Sequence, residues 1–173
     1  LDPRTQVGAI ISPEHLAKID AYVRGAVAAG ARLALGGAAL DVGGLGAQFY
    51  QPTIVTDVRP EMEIAREEVF GPVLSVLTFR TADEAIQLAN DAAYGLSAGV
   101  WSSDLSTCLD FMRRVRAGTV WTNTWMDGFA ELPFGGFKQS GQGRELGRYG
   151  LEEFLEVKTV QMRIGQTRGA WVA

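Results

Sequence analysis

Residues 72–123 alternate between strand patterns and helix patterns, and this order limits the possible architectures more than any other stretch. "PVLSVLTF" is nearly continuous in apolar residues, which is typical of a strand covered on both faces. Thr81 and Glu84 form a capping-box pattern for the next helix. "SAGVW" and "GTVWTN" predict two further strands with a helix between them. This β-α-β-α-β order predicts an α/β fold with a mainly parallel sheet flanked by helices.

The segments on either side are less regular. Ser12 and Pro13 mark a helix start, and Gly30 is placed to end that helix. "ARLALGG" predicts a short strand, and the proline in "YQPTIVTDV" predicts an edge or irregular strand. A long loop rich in glycine and aromatic residues follows Asn123, and loops of this kind are usually functional. "RYGLEEFL" then predicts a helix, and "EVKTVQMRI" predicts a last strand.

Composition excludes several classes of protein. The 173 residues fit one domain, and the net charge of −4 gives no reason to expect a nucleic-acid or anionic-membrane partner. We see no signal-peptide pattern at the start and no membrane-spanning apolar run. Cys108 is the single cysteine, so it forms no internal disulfide and fits a reducing compartment. We therefore expect a cytoplasmic location.

Two adjacent carboxylates, Glu67 and Glu68, lead directly into Phe70, Gly71 and Pro72. A solvated acidic turn is the simplest interpretation of such a pair. Here, however, a phenylalanine follows at once, and the turn meets a strand at a sheet edge, where open α/β folds bind ligands. A carboxylate suits paired sugar hydroxyls because each oxygen can accept a hydrogen bond. Side chains of consecutive residues diverge, which disfavours a glycosidase-like acid–base pair.

The lone cysteine is more consistent with packing than with catalysis. Cys108 shares one predicted helical face with four apolar residues: Leu105, Leu109, Met112 and Val115. A reactive thiolate needs a helix N-terminus or a cationic neighbour, and a position in mid-helix supplies neither. We therefore predict a buried structural thiol.

Two other candidate sites are weaker. His15 is the only histidine, so no His/Cys zinc cluster can form, and it is either a solvated helix-start residue or a contact to a ligand's phosphate or ribose. Gly141, Gly143 and Gly147 have the spacing G-x-G-x-x-x-G, and no strand leads into them. A dinucleotide fingerprint follows a strand and opens a helix, so we interpret these glycines as a tight turn.

The motifs resemble those of the NAD(P)-dependent aldehyde dehydrogenases. Four stretches carry the resemblance in family order: "EEVFGPV" at 67–73, "AAYGLSAGVWSSD" at 92–104, "AGTVWTN" at 117–123 and "LPFGGFKQSGQGRELGRYGLEEFLEVKTV" at 132–160. The resemblance covers essentially the whole chain and corresponds to the C-terminal part of such an enzyme. It implies that residues 1–155 are part of the catalytic domain, that 156–164 form an oligomerisation strand, and that 165–173 are a tail.

The resemblance also implies cofactor contacts. In the family the second glutamate of this acidic motif holds the nicotinamide ribose hydroxyls, and by position that residue is Glu68. Phe70 would pack near the nicotinamide, and Gly71-Pro72 would hold the turn in place. His15 falls where the family has a residue near the cofactor's ribose. The implied cofactor is NAD or NADP.

The loop after Asn123 resembles the family's substrate-pocket loop, in which Trp125, Asp127, Gly128 and Phe134 would face the aldehyde. "NTWMDG" is similar to members that oxidise cationic or amino aldehydes, including betaine aldehyde. A tryptophan face attracts a quaternary ammonium, and a carboxylate adds a countercharge. Trp125 as a simple packing residue at a strand end is the alternative.

The family's nucleophilic cysteine and general-base glutamate belong to motifs that this sequence does not contain. In the family mechanism the thiolate attacks the aldehyde, the thiohemiacetal gives hydride to NAD(P)+, and water releases the acid with help from the glutamate. The resemblance therefore implies a segment that is inactive alone and that joins a homo-oligomer, a dimer or tetramer. Two rivals are a non-catalytic oligomerisation module and a free-standing nucleotide-binding domain that uses the 135–147 glycine loop.

Overall fold

The computed structural model describes residues 3–165. Within those residues the helices are α1 (Pro13–Ala28), α2 (Glu63–Arg66), α3 (Ala82–Asp91), α4 (Leu105–Arg114) and α5 (Gly147–Glu152). The strands are β1 (Arg32–Leu35), β2 (Ala39–Leu40), β3 (Phe49–Tyr50), β4 (Thr53–Thr56), β5 (Val73–Ser75), β6 (Tyr94–Gly95), β7 (Ser97–Val100), β8 (Thr119–Thr122) and β9 (Phe137–Lys138). This mixture of helices and strands confirms the predicted α/β class.

Helix α1 begins where the sequence predicts because Ser12 caps it. The Ser12 hydroxyl oxygen accepts a hydrogen bond from the His15 amide at 3.2 Å, and Pro13 takes the first helical position. Gly30 follows the helix with a φ of +98°, a left-handed conformation that glycine adopts without steric cost. The cap therefore places His15 in the first turn of α1.

Helix α3 begins with the predicted capping box. The Thr81 hydroxyl oxygen accepts from the Glu84 amide at 3.2 Å, while the Glu84 carboxylate accepts from the Arg80 amide at 2.7 Å. The Glu84 carboxylate thus bonds to the backbone N–H of Arg80, whereas in the standard capping box it would bond to the N–H of the cap residue Thr81. Both bonds satisfy amides at the start of the helix.

The strands pair in small sheets. β4 lies between β1, which is antiparallel to it, and β5, which is parallel. β7 and β8 pair in parallel with α4 as the crossover, as the sequence predicts. β2 pairs with β3 and β6 pairs with β9, both antiparallel. No pairing joins β5 to β7 among residues 3–165, so the predicted parallel arrangement is observed in the pairs β4–β5 and β7–β8.

The sequence leaves an edge strand or an irregular strand open for β4. β4 is a central strand, because Pro52 precedes it and removes no hydrogen bond from the ladder, and its pairing with β1 is irregular, with a register shift between Leu33 and Leu35. The prediction for β5 is wrong. β5 is not covered on both faces in this chain. Val73 and Leu77 pack against the core, whereas Leu74 is 57% exposed on the other face.

Two apolar clusters hold these elements together. In the first, Ile19, Val23 and Ala26 of α1 pack against residues of the β3–β4 region and α2, among them Tyr50, Val55 and Ile64. In the second, Ile86 of α3 meets Phe111 and Val115 at the end of α4, with β7 and β8 beside them. No described helix is long and apolar enough to cross a membrane.

Residues 156–164 form no regular secondary structure, although the sequence predicts a strand there. A strand needs a hydrogen-bonded neighbour, and no described strand pairs with this segment. Its apolar side chains lie in solvent, with Val157 98% exposed. The pairing of this segment within an oligomer stays a prediction. The predicted tail lies outside the described residues except for Gly165.

Candidate functional site

The turn that carries Glu67 and Glu68 lies between α2 and β5 and borders an open cleft of about 630 Å³. Both side chains are exposed at the cleft. Residues around β6, β7 and β9 also line it, among them Leu96, Ser97, Gln139 and Ser140. The two carboxylates therefore border a space that a small molecule can enter.

Phe70 lines the same cleft, and its side chain is 72% exposed. Its φ of +52° is left-handed, which is uncommon for a residue with a bulky side chain. His15 Nε2 donates a hydrogen bond to the Phe70 carbonyl oxygen at 2.7 Å. Because a carbonyl can only accept, Nε2 carries the proton. The structure thus brings together two predicted cofactor-binding residues that lie far apart in the sequence.

Gly71 and Pro72 hold the turn against its neighbours, as the sequence predicts. A Cβ on Gly71 would lie 2.7 Å from Cδ1 of Ile19, so a side chain at this position would displace either the turn or the buried Ile19 side chain. The Pro72 carbonyl accepts a hydrogen bond from the Thr53 amide at 2.8 Å. The turn is therefore fixed to α1 on one side and to β4 on the other.

Trp125 follows β8 in the predicted substrate loop and is 50% exposed. Its ring centroid lies 4.9 Å from that of Trp121 and 6.2 Å from that of Trp101, and both pairs are tilted. Such distances are typical of stabilising aromatic contacts. Trp125 therefore packs against two other tryptophans and remains half exposed, as the packing interpretation requires, and its contact with a substrate stays a prediction.

Asp127 and Gly128 lie in the same loop. The Trp121 indole N–H donates to the Asp127 carbonyl oxygen at 2.7 Å, and the Thr124 hydroxyl donates to the Asp127 carboxylate. Gly128 is exposed, and a Cβ there would meet no atom within 4 Å. The loop conformation thus depends on Trp121, while the Asp127 side chain remains accessible.

Phe134 lies elsewhere in the molecule. Its backbone pairs with that of Glu145 through two hydrogen bonds of 2.8 and 2.7 Å. Its half-buried side chain lines a second cleft of about 630 Å³, which the Glu68 and Phe70 side chains do not line. Leu96 borders both clefts, so the two spaces are neighbours.

Cys108 is buried in α4, 1% exposed, as predicted. Its thiol lies 3.7 Å from the Ser102 carbonyl oxygen, which can accept a weak hydrogen bond. The predicted apolar face is largely wrong, because Leu105, Leu109 and Met112 are exposed and Phe111 is buried instead, and only Val115 is buried with Cys108 as predicted. The inward face of α4 is centred on Cys108, so this thiol has no access to a ligand.

The glycine-rich loop lines the second cleft, through Gly135, Gly136 and Gly143 among others. Gly141, Gly143 and Gly147 all have positive φ values, as a tight turn requires. Within residues 3–165 no group of His, Cys, Asp and Glu is arranged to hold a metal ion.

Sequence reasoning missed Lys138. Its Nζ donates to the carbonyl oxygens of Asn90 and Ala92 at 3.0 and 2.8 Å, at the end of α3. Burial, helped by the charge on Arg116, lowers the pKa of this ammonium from its ordinary value. Lys138 therefore ties β9 to α3 beside the cleft that Glu68 borders. The available signal was a lone cation in the otherwise uncharged stretch "PFGGFKQSG".

Comparison with known proteins identifies the relatives of this chain. Residues 1–160 match the sequence profile of the aldehyde dehydrogenase family. A betaine aldehyde dehydrogenase from Bacillus subtilis is 49% identical over 157 residues, which are 90% of this chain and 32% of that protein. The chain thus spans about a third of the length of this relative.

Two solved structures resemble the fold over nearly all of the chain. An NAD-dependent aldehyde dehydrogenase from Sinorhizobium meliloti superposes with a TM-score of 0.90 at 50% identity, covering 98% of this chain and 33% of that one. A point mutant of betaine aldehyde dehydrogenase from Staphylococcus aureus, in complex with NAD+, gives a TM-score of 0.85 at 46% identity. This second match covers 91% of this chain and 32% of that one.

Proposed function

The chain belongs to the aldehyde dehydrogenase family, and on that premise we propose that it supplies a cofactor-ribose clamp and part of the substrate pocket of an enzyme that oxidises an aldehyde to a carboxylic acid with NAD(P)+. One observation carries the proposal: the Glu68 carboxylate and the Phe70 ring are both exposed on one open cleft. The relatives named for NAD-dependent aldehyde oxidation support it.

The residues present fit the nicotinamide half of such a cofactor. The two carboxylate oxygens of Glu68 can each accept one hydrogen bond from the 2′- and 3′-hydroxyls of a ribose. The exposed Phe70 ring offers a flat apolar face beside them. When bound, the nicotinamide supplies hydride-acceptor chemistry. The chain's own residues bind and orient this group.

The nucleophile and the general base are proposed to come from residues outside this chain. Cys108 is buried in α4 and lies on no described cleft, so it does not suit attack on an aldehyde. We assign no catalytic residue to the chain, and we expect it to be inactive alone. We further propose that residues 1–155 are part of the catalytic domain.

The proposed substrate is a cationic or amino aldehyde such as betaine aldehyde. Trp125 is 50% exposed, and the exposed Asp127 carboxylate two residues later adds negative charge. Gly128 leaves the loop uncrowded. Phe134 lines the second cleft, which Trp125, Asp127 and Gly128 do not line, so we propose it as an apolar wall of that neighbouring space. The similarity to the Bacillus subtilis betaine aldehyde dehydrogenase supports this substrate class.

We propose a homo-oligomer in which residues 156–164 pair with a strand of another subunit. The apolar side chains of this segment are exposed in the isolated chain, with Ile164 91% exposed. Exposed apolar residues on an unpaired segment are typical of an interface. A cytoplasmic location is proposed with it, since a reducing compartment suits the single buried thiol.

Replacement of Glu68 tests the cofactor clamp. In the full-length protein that carries this chain, we expect Glu68→Gln to raise the KM for NAD(P)+ about 10- to 100-fold, since hydrogen bonds to a charged group contribute about 1.5–3 kcal/mol. Glu67→Gln is the matched control because it removes the same charge one residue away. An equal effect of both changes would indicate a general loss of charge. Aldehyde oxidation that is unaffected by Glu68→Gln would contradict the clamp.

Two further measurements separate the rivals. Absence of aldehyde oxidation in the full-length protein, with loss of the oligomer on truncation after residue 155, would favour a non-catalytic oligomerisation module. NAD+ binding by the isolated chain that Gly143→Val abolishes and Glu68→Gln leaves intact would favour a nucleotide site in the 135–147 loop.

Replacement of Trp125 tests the substrate class. We expect Trp125→Ala to raise the KM for betaine aldehyde about 2- to 30-fold, the range that corresponds to a cation–π contact of about 0.5–2 kcal/mol. The KM for a neutral aldehyde of similar size should change little. Trp125→Phe keeps a ring and should retain part of the effect. Equal changes for both substrates would show that Trp125 only packs.

A further inference from the structure

We propose that His15 is a positioning residue, and that one face of α1 sets the conformation of the turn that carries Glu68 and Phe70. This inference rests on the proposed function, since it concerns the same cofactor site. The resemblance to the family implies that His15 lies near the cofactor's ribose. The geometry points to a different role, in which His15 acts through the Phe70 backbone.

The first contact is polar. His15 Nε2 donates to the Phe70 carbonyl oxygen at 2.7 Å and joins the first turn of α1 to the cleft. Phe70 has a left-handed backbone with a φ of +52°, which costs free energy in a residue that has a Cβ. A conformation of this kind persists only where surrounding contacts hold it. The bond from His15 is a contact of that kind, made directly to the strained residue.

The second contact is steric. Ile19 lies four residues after His15, so both side chains lie on the same face of the helix. Ile19 is fully buried, and Gly71 lies so close to it that a Cβ would come within 2.7 Å of Cδ1. The turn therefore rests on α1 through one hydrogen bond and one apolar contact at adjacent residues.

These contacts determine where Glu68 points. Glu68 lies two residues before Phe70 and directly follows Glu67, the C-cap residue of α2. The Glu67 backbone N–H donates to the Glu63 carbonyl oxygen at 2.9 Å. The short segment between that helix end and Phe70 has fixed ends on both sides. If the Phe70 end is released, the Glu68 carboxylate loses its fixed direction without any change in its own chemistry. His15 is thus expected to affect cofactor affinity through the order of the turn.

The test compares three variants of His15. His15→Gln retains an N–H donor near the position of Nε2, whereas His15→Leu and His15→Ala remove it. His15 is half-exposed, so these changes leave the core intact. Hydrogen exchange of residues 67–73 is measured in the full-length protein without cofactor, and the Kd for NAD+ is measured on the same samples.

We expect the Leu and Ala variants to exchange faster in this turn and to bind NAD+ about 2- to 12-fold more weakly, the range that loss of one hydrogen bond gives. His15→Gln should restore both properties. Weaker NAD+ binding with unchanged exchange would overturn the proposal in favour of direct contact between His15 and the cofactor. An equal defect in the Gln and Leu variants would overturn it as well.

Glu68→Gln, measured in the same series, separates this inference from the proposed function. If Glu68→Gln weakens NAD+ binding and His15→Leu changes neither quantity, the positioning role is wrong and the clamp stands. If exchange accelerates in His15→Leu but neither variant changes NAD+ binding, the clamp itself is wrong and the cofactor role of His15 fails with it.

Discussion

Asn123 and Ser102 are joined by a reciprocal pair of hydrogen bonds at the ends of two neighbouring strands. The side-chain nitrogen Nδ2 of Asn123 donates to the Ser102 carbonyl oxygen at 2.9 Å, and the Ser102 backbone N–H donates to Asn123 Oδ1, also at 2.9 Å. Asn123 directly follows β8 and has a φ of +55°, a left-handed conformation that asparagine tolerates. The pair therefore fixes the point at which the Trp125 loop leaves the sheet.

Removal of this pair should destabilise the chain. We expect Asn123→Ala to lower the free energy of unfolding by about 1–2 kcal/mol, because two hydrogen bonds are lost and alanine disfavours a positive φ. Asn123→Gly is the matched control, since it removes the bonds but adopts a positive φ freely. Its loss should be smaller. Urea unfolding of the 173-residue chain gives both values, and a wild-type midpoint for Asn123→Ala would contradict the role of the pair.

A second prediction concerns the link between α4 and β8. A Cβ on Gly118 would lie 1.7 Å from the Gly135 carbonyl oxygen, so Gly118→Ala must displace the backbone of the loop that leads to β9. We expect it to lower the free energy of unfolding by about 3 kcal/mol or more. Thermal unfolding of the same chain measures the effect.

Gly25→Ala is the matched control for Gly118→Ala. Gly25 is exposed within α1, and a Cβ there would meet no atom within 4 Å. Because glycine weakens a helix interior, this change should raise the stability by about 0.5–1 kcal/mol. If both variants raise the free energy of unfolding, the backbone around Gly118 and Gly135 can move apart without destabilising the fold, and the prediction for Gly118→Ala is wrong.

Local patterns predict most of the secondary structure because short-range physics decides it. Ser12 and Thr81 cap their helices through bonds within three residues, and such signals are readable in the sequence. The sequence does not decide between an edge and an irregular strand for β4, because Pro52 lies just outside the strand and strand order depends on pairing between distant segments. The predicted strand at 156–164 needs a neighbour that these residues do not contain.

The site shows the same division. The sequence is sufficient to predict Glu68 and Phe70 as candidate ligand contacts, because an ordinary solvated acidic turn does not need a phenylalanine directly after it. The bonds made by His15 to Phe70 and by Lys138 to Ala92 join segments 55 and 46 positions apart. No periodicity or spacing encodes such contacts, so only the three-dimensional arrangement reveals them.

The Asp104 carboxylate gives a prediction for pH. Hydrogen bonds from the Ser106 and Thr107 hydroxyls, together with their backbone amides, lower the pKa of Asp104 from 3.8 to about 2. A lowered pKa in the folded state stabilises the protein above the unfolded value, and this contribution is lost as the pH falls through the folded value. The start of α4 should therefore weaken between about pH 4 and pH 2.

Asp104→Asn tests this assignment. Asparagine still caps a helix but does not titrate, so the variant should lose less stability than the wild type over the same pH interval. Urea midpoints at several pH values measure the difference. If the urea midpoints of the two proteins fall in parallel as the pH is lowered, another carboxylate controls the loss of stability at low pH.

The last prediction concerns the single thiol. Because Cys108 is 1% exposed, we expect a thiol reagent to label it slowly in the native chain and rapidly in urea. The purified 173-residue chain should form no NADH from betaine aldehyde or from a simple aldehyde, since its one cysteine thiol is buried. Turnover that Cys108→Ser abolishes would instead place this thiol at the reacting centre. The proposal that the nucleophile comes from residues outside this chain would then be wrong.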